Sequence, residues 1–392
     1  MLKAMGNTIP YSRQKISKED IESVKEVLES DFLTQGPIVP IFEKKVSDIV
    51  GAQYGVAVNS ATSALHIACL ALGLSSDDYL WTSANSFVAS ANCGLYCGSK
   101  VSFIDIDPNT YNISLEALKM KLVNAEKNNL LPKVIVTVDF AGQSCQMDEI
   151  KKLSEKYKFK IIEDASHAIG GKYREAKIGS CKFSDITIFS FHPVKIITTG
   201  EGGMALTNDS ELAELMSQFR SHGITRNKEL MKRKDPELYH YEQINLGFNY
   251  RMSDIVAALG ISQLSQLVPF VEKRNQIAKK YNELLIDLPL KLPTIKDECF
   301  SSFHLYVVRL MTEKCSITHK ELFHTLRNRG IGVNLHYEPI HLHPYYANMG
   351  FKRGDYPESE KFSSEAISLP IYVSLSDSEQ NQVVNHLYEI IY

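Results

Sequence analysis

The chain has 392 residues, 44% hydrophobic and 23% charged, and a formal net charge of −3. That length can bury one large core and a smaller second one, and a near-neutral balance gives no footing for nucleic acid, so any anionic ligand must find local donors. No apolar run reaches the roughly 18 residues of a spanning helix and the N-terminus lacks the apolar stretch of a signal peptide, so a cytoplasmic protein with no membrane partner is expected.

From about residue 54 to 220, short β-branched runs alternate with amphipathic stretches. Strands are predicted at 54–58, 79–82, 101–106, 134–138, 160–163, 185–191 and 204–207, with helical patterns between the first five, notably 64–73, 115–126 and 148–157. This rhythm implies an α/β fold with a mainly parallel seven-stranded sheet covered on both faces. The sixth and seventh strands lie too close for a helical crossover, so one strand must run antiparallel. A helix is predicted at 210–221, and the polar stretch from Arg226 to Gln243 is expected to be an exposed loop. A long helical tract from Ser253 to about Leu285, interrupted at Pro269, then leads to a strand at 304–310 and a helix at 320–329. The predicted division is an N-terminal segment 1–20, a large unit 21–265 and a small C-terminal α+β unit 266–392.

Seven cysteines, an odd number, fit reduced thiols rather than a disulfide framework. Cys93 and Cys97 stand four apart on a predicted helix, but no second pair lies near them in sequence. His336, His341 and His343 are separated by Pro339 and Pro344. No metal is expected from either group.

Three segments carry chemistry. Lys195 follows the apolar strand 185–191 and precedes Ile-Ile-Thr-Thr-Gly-Glu-Gly-Gly. A partly desolvated amine there has a depressed pKa and becomes a nucleophile toward aldehydes. The natural aldehyde is pyridoxal 5′-phosphate. Asp164 ends the strand 160–163, and in parallel sheets ligands sit beyond the carboxyl ends of strands, so Asp164 and Lys195 can face one pocket. Pyridoxal phosphate chemistry needs such a carboxylate to keep the pyridine nitrogen protonated. The alternative for Asp164 is a helix N-cap ahead of Ala-Ser-His. In the third segment, the strand 54–58 meets Asn59-Ser-Ala-Thr-Ser before a helical run. Ala61, Thr62 and Ser63 at that helix start can bind the cofactor phosphate through backbone N–H groups and hydroxyls, or Ser60 and Thr62 can serve as ordinary caps.

These segments, with Leu33-Thr-Gln-Gly, Ser86-Phe-Val-Ala, Val138-Asp-Phe-Ala-Gly, Glu163-Asp-Ala-Ser-His-Ala, Gly247-Phe-Asn-Tyr-Arg-Met and His336-Tyr-Glu-Pro-Ile-His, span nearly the whole chain. Together they resemble the DegT family of pyridoxal-phosphate-dependent nucleotide-sugar aminotransferases, of the aspartate aminotransferase fold type (fold type I). His-Pro-Val-Lys followed by Ile-Thr-Thr-Gly-Glu-Gly-Gly is most like the members that aminate C4 of a UDP-linked 4-keto-6-deoxy sugar in pseudaminic acid biosynthesis. The resemblance implies L-glutamate as amino donor and a homodimer with shared active sites. It also implies an N-terminal segment packed on the small unit.

By the same resemblance Phe87 stacks on the cofactor face, an arrangement suited to a planar electron-poor ring. His167 is placed to reach the cofactor phenolate oxygen and Ser190 to reach its phosphate. Asn249 is implied to cross the dimer interface to the partner's phosphate. Arg251 has two readings, an anion contact or an interface ion pair. Tyr11, Leu33, Thr34, His336 and Tyr337 are implied to hold the nucleotide sugar. Family dehydratases carry histidine at the lysine position, which Lys195 argues against. A non-catalytic pyridoxal-phosphate-binding regulator is the second alternative, and a nicotinamide dehydrogenase lacks its Gly-x-Gly-x-x-Gly after the first strand. The motifs leave open the D-xylo epimer of the keto sugar beside the L-arabino form.

Overall fold

The computed structural model describes residues 8–392. Its main sheet has strands β1 (Tyr54–Val58), β2 (Tyr79–Ser83), β3 (Lys100–Ile104), β4 (Val134–Val138), β5 (Lys160–Asp164), β6 (Ile186–Ser190) and β7 (Gly203–Thr207), in the order β1-β7-β6-β5-β4-β2-β3. Only β7 runs against its neighbours β1 and β6; the other pairings are parallel. It is the antiparallel strand that the short β6–β7 connection requires.

Helices α1 (Lys18–Leu28) and α2 (Ile38–Val50) precede the sheet, and α3 (Ala61–Ala71), α4 (Ala89–Tyr96), α5 (Leu115–Lys127) and α6 (Met147–Tyr157) connect its first five strands. They are followed by α7 (Ser210–Arg220), α8 (Asp254–Leu264) and α9 (Leu267–Leu284). The pleat sends alternate side chains to opposite faces. Val56, Val58, Ile162, Ile186 and Ile188 join a core with α3 and α4, whereas Ala57, Phe189, Met204 and Leu206 pack with α2. Every residue from Ser63 to Cys69 is buried, which explains why α3 has almost no charged surface of its own. Its first turn is thereby held inside the protein, beside the end of β1.

The long helical tract breaks before Pro269 rather than at it. α8 stops at Leu264, α9 begins at Leu267, and the two axes bend by 60°. Pro269 sits in the first turn of α9, where its missing N–H removes no intrahelical bond. The stretch 226–243 is largely exposed and irregular, with Ile224–Thr225 paired to Glu242–Gln243 across its base.

A second core surrounds the antiparallel sheet of β8 (Leu290–Lys291), β9 (Tyr306–Leu310) and β10 (Ala366–Leu369), covered by α9, α10 (His319–Asn328) and α11 (Asp377–Ile391). Of the predicted N-terminal segment, residues 1–7 lie outside the described residues. Ile9 pairs with Ile331, donating to Gly330 O at 2.9 Å, and Tyr11 O accepts from Ile371 N–H at 3.0 Å. Ser12 then reaches the other core's segment, its hydroxyl donating to Val194 O at 3.0 Å.

Candidate active site

A cavity of about 420 Å³ opens at the carboxyl ends of β4, β5 and β6, lined there by Val138, Asp164 and Ser190. This is the edge at which parallel sheets bind ligands. Because β7 is antiparallel, its first residue, Gly203, arrives at the same edge. A Cβ on Gly203 would lie 2.5 Å from Ala61 N and 2.6 Å from Ser60 O, so only glycine lets this strand abut the start of α3.

Ser60 caps α3, its hydroxyl accepting from Ser63 N–H at 3.1 Å. Ser63 spends its own hydroxyl on Asn59 Oδ1 at 2.7 Å, inside the protein and away from the cavity lining. Ala61 and Thr62 line the cavity, and their N–H groups have no protein acceptor among the described residues. With the positive end of the helix dipole behind them, they form an anion cradle. Capping therefore falls to Ser60 and leaves the first-turn N–H groups of Ala61 and Thr62 open to the cavity.

Asp164 is buried at the end of β5. No helix follows it; Oδ1 accepts from Ser166 Oγ at 2.6 Å and Ser166 N–H at 3.2 Å in a turn, which disposes of the N-cap reading. Oδ2 accepts from Ser90 Oγ at 2.7 Å, and Ser90 is itself bonded to Ser86 Oγ at 2.8 Å. Each oxygen keeps acceptor capacity toward the cavity.

Lys195 lies in the turn after β6, its N–H donating to His192 O at 2.9 Å. Burial pushes its amine down to about 8, while the Asp164 carboxylate pulls the other way. Apart from Lys195, no Lys or Arg among the described residues lines the cavity.

The opposite wall is aromatic. His167 Nδ1 accepts from Ala141 N–H at 3.3 Å, which leaves the ring proton on Nε2, 3.1 Å from Tyr337 Oη. Burial first, and then Lys195, holds His167 well below the usual histidine range, so its ring is neutral. His336 is pushed down to about 3 by burial and then Lys195, and its Nδ1 meets Ser368 Oγ at 2.8 Å. Burial raises the Tyr337 phenol, with Asp164 adding to it. Tyr11 packs on His336 with ring centroids 5.3 Å apart. Phe87 is 57% exposed and projects at the cavity rim, 6.2 Å from the Tyr337 ring.

The cavity therefore gathers Ala61, Thr62, Phe87, Asp164, His167, Ser190, Lys195, Tyr11, His336 and Tyr337. It does not include Leu33, Thr34, Asn249 or Arg251. Three of them make backbone bridges, Thr34 to Ser253, Arg251 to Val58 and Asn249 to Ser221, and Leu33 O accepts from Asp254 N–H at 3.0 Å; Leu33, Thr34 and Asn249 are exposed.

Sequence reasoning missed Ser90, whose spacing of four from Ser86 on a helix start was the available signal. It also missed His304, which lines the cavity 4.4 Å from the His167 ring and keeps a buried Nδ1 without partner among the described residues. His304 is placed by Arg274 of α9, whose buried guanidinium donates to the carbonyls of Phe303, His304 and Ile371 at 3.1, 3.2 and 3.1 Å. The histidines weighed as metal ligands are dispersed: His341 is bonded to Glu360 at 2.9 Å, away from His336. Among the described residues no three His, Cys, Asp or Glu side chains gather as a metal ion requires.

An anion cradle, a buried carboxylate with free lone pairs, a low-pKa amine and an exposed aromatic face converge on one volume, and the donor set fits pyridoxal phosphate. Fold and site together define a pyridoxal-phosphate-dependent aminotransferase of fold type I. The chain belongs to the DegT/DnrJ/EryC1/StrS aminotransferase family, whose pattern matches residues 14–388. It is 39% identical to the UDP-4-amino-4,6-dideoxy-N-acetyl-beta-L-altrosamine transaminase of Campylobacter jejuni, over 98% of this chain and 97% of that one. Among solved structures it is similar to Helicobacter pylori PseC, an aminotransferase involved in the biosynthesis of pseudoaminic acid, with a TM-score of 0.87 and 34% identity over 98% and 99% of the two chains. The protein Spr1654 of Streptococcus pneumoniae in its PLP-form matches with a TM-score of 0.87 at 26% identity, over 98% of each chain.

Proposed function

We propose that this chain transfers the amino group of L-glutamate to C4 of UDP-2-acetamido-2,6-dideoxy-β-L-arabino-hex-4-ulose, giving UDP-4-amino-4,6-dideoxy-N-acetyl-β-L-altrosamine for pseudaminic acid biosynthesis. The observation that carries it is the convergence of Lys195, Asp164 and the free first turn of α3 on one cavity, in a chain so similar to a transaminase of that name.

Bound pyridoxal phosphate supplies an aldehyde and an electron-accepting ring. Lys195 would hold the aldehyde, and its Nζ would carry the proton from the donor Cα and supply one to C4 of the sugar. Asp164 accepts a hydrogen bond from the ring nitrogen and keeps it charged. Ala61, Thr62 and Ser190 bind the phosphate, with Ser63 supporting the cradle through Asn59 and Ser60. His167 donates its Nε2 proton toward the phenolate oxygen, and Phe87 covers the ring. Tyr11, His336 and Tyr337 contact the sugar nucleotide from the wall they already form.

A UDP sugar carries a diphosphate, and among the described residues the cavity offers it no cation besides Lys195. That shortage supports a homodimer in which Leu33, Thr34, Asn249 and Arg251 of one subunit serve the neighbour's site. Their edge also exposes apolar surface, with Phe32 at 55%, Leu33 at 43% and Leu246 at 80%, the kind of patch a partner covers. Seven unpaired cysteines suit a reducing cytoplasm. Residues 21–265 then form the cofactor-bearing unit, and 266–392 the smaller one that adds the sugar-facing wall.

Incubation with L-glutamate and each UDP-4-keto epimer, followed by NMR of the product, tests the reading. The L-arabino substrate should give the 4-amino sugar together with 2-oxoglutarate; preferential turnover of the D-xylo compound would overturn the stereochemical assignment. The shared site has its own test. Mixing Lys195→Ala with Asn249→Ala subunits puts both lesions in one site of each hybrid, so activity should recover to about a quarter of wild type when subunits exchange freely. No gain over the parents, with exchange confirmed by mass, would place Asn249 in its own chain's site.

A further inference from the structure

His304 stands just ahead of β9 and is 1% exposed, yet its ring lines the active-site cavity, and no step of the proposed reaction uses it. Its segment is pinned from both sides of the cavity. Arg274 gathers the carbonyls of Phe303, His304 and Ile371, while Ser302 Oγ donates to His167 O at 2.9 Å and Ser302 N–H to Gly142 O at 3.1 Å. Gly142 has φ +105°, and a Cβ there would fall 2.6 Å from Ser302 Oγ, so glycine is what admits the segment. The rings of His167 and His304 are thereby held together, centroids 4.4 Å apart. His304 Nδ1 is sealed in protein with no hydrogen-bond partner among the described residues, and Nε2 makes no hydrogen bond to them either. A buried ring left unpaired at both nitrogens is uncommon and points to a ligand.

We propose that His304 binds the α-carboxylate of the amino donor, donating to it from Nε2; this rests on the reading of the chain as a glutamate-dependent aminotransferase. Glutamate brings two carboxylates to a cavity whose one lysine or arginine among the described residues, Lys195, is committed to the cofactor aldehyde. Neutral donors of this chain must therefore satisfy them.

Burial first, and then His167 and Lys195, keep the His304 ring neutral, so it carries a single proton. Nδ1 finds no partner in either tautomer, and a carboxylate at Nε2 draws the proton to that side, where it makes a charge-assisted hydrogen bond. The place suits the α-carboxylate rather than the distal one. The phenolate oxygen toward which His167 donates stands on the ring carbon beside the one bearing the aldehyde. A donor Cα joined there through its nitrogen brings its own carboxylate to the side of the His167–His304 pair. Neutrality also serves the second substrate, because the same cavity must next take a sugar that has no carboxylate. A buried guanidinium would then be left as an unpaired charge, whereas an imidazole loses one hydrogen bond.

α-Methyl-L-glutamate lacks the Cα proton and binds without turning over, so its affinity for the holoenzyme, read by titration of the cofactor absorbance, reports the donor subsite alone. Wild type should prefer it to its α-amide by about 10- to 100-fold, the value of a hydrogen bond to a charged group. His304→Ala should lose that preference, and His304→Gln, which keeps an N–H donor, should regain part of it. A role confined to packing would weaken acid and amide alike, and that result overturns the proposal. So does an undiminished preference in His304→Ala, which a cation from a neighbouring subunit would produce. Equal binding of acid and amide by the wild type overturns it as well, and that measurement needs no variant to fold. Failure of the donor reading looks different. If L-glutamate does not convert the wild-type holoenzyme to its pyridoxamine form, glutamate falls and this subsite with it, whereas conversion with an unmoved preference removes His304 alone.

Discussion

Lys195→Ala is expected to abolish the borohydride-reducible attachment of pyridoxal phosphate and to lower turnover by about 10⁴-fold or more, since one side chain provides both the nucleophile and the proton carrier. No other lysine among the described residues lines the cavity to replace it. Cofactor should still bind non-covalently, because the phosphate cradle of Ala61 and Thr62 is untouched. The pH dependence follows from the depressed amine. Only the free amine attacks an aldehyde, and Lys195 titrates near 8 in the protein, so attachment to the apoenzyme should be near its maximum above pH 8. Below it, the rate should fall about tenfold per pH unit as the amine gains its proton. Peptide mapping of the reduced wild-type holoenzyme checks the assignment, and a label on any other lysine would remove Lys195 from the centre of the chemistry.

The sequence is most legible where one element supplies its own signal. β4 and β6 are buried along their whole length, so their β-branched runs stand out, and their predicted limits lie within a residue of those observed. Lys195, Asp164 and the Ser60–Ser63 turn are legible because each occupies the end of such a run, and parallel strands bring their ends together. Pro269 misled because proline marks both the break in a helix and the first turn of the next one. What the sequence hides is contact between distant segments. Ser90 meets Asp164 across 74 positions, and His304 reaches the cavity only because Arg274 ties its carbonyl to those of Phe303 and Ile371. The Leu33–Thr34 and Asn249–Arg251 segments pose a different difficulty. They lie side by side in the fold yet outside the cavity of their own chain, and no pattern within the chain links them to that cavity.

Asp164→Asn should keep the fold and much of the cofactor while reducing turnover by about a thousandfold, comparable to losing a preorganised electrostatic contact in a dry site. The amide preserves the shape of the carboxylate. Its oxygen can still accept from Ser166, whose hydroxyl and N–H reach Oδ1 at 2.6 and 3.2 Å. Its nitrogen then occupies the place of Oδ2 and can donate to Ser90 Oγ, with the Ser90 proton turned toward Ser86 Oγ, 2.8 Å away. The buried network therefore has a satisfied alternative and the protein has no reason to unfold. What the amide cannot do is accept a proton-bearing ring nitrogen at that face or supply a charge that keeps it protonated. Electrons released at the donor Cα then have a poorer place to go. Ser90→Ala separates these effects, since it removes one hydroxyl while leaving the carboxylate charged; the loss of that single bond to a charged group should cost about tenfold. Turnover and retained cofactor absorbance, measured on both variants, provide the test. Near-normal turnover in Asp164→Asn, with cofactor bound, would mean that the ring nitrogen finds its partner elsewhere in the cavity.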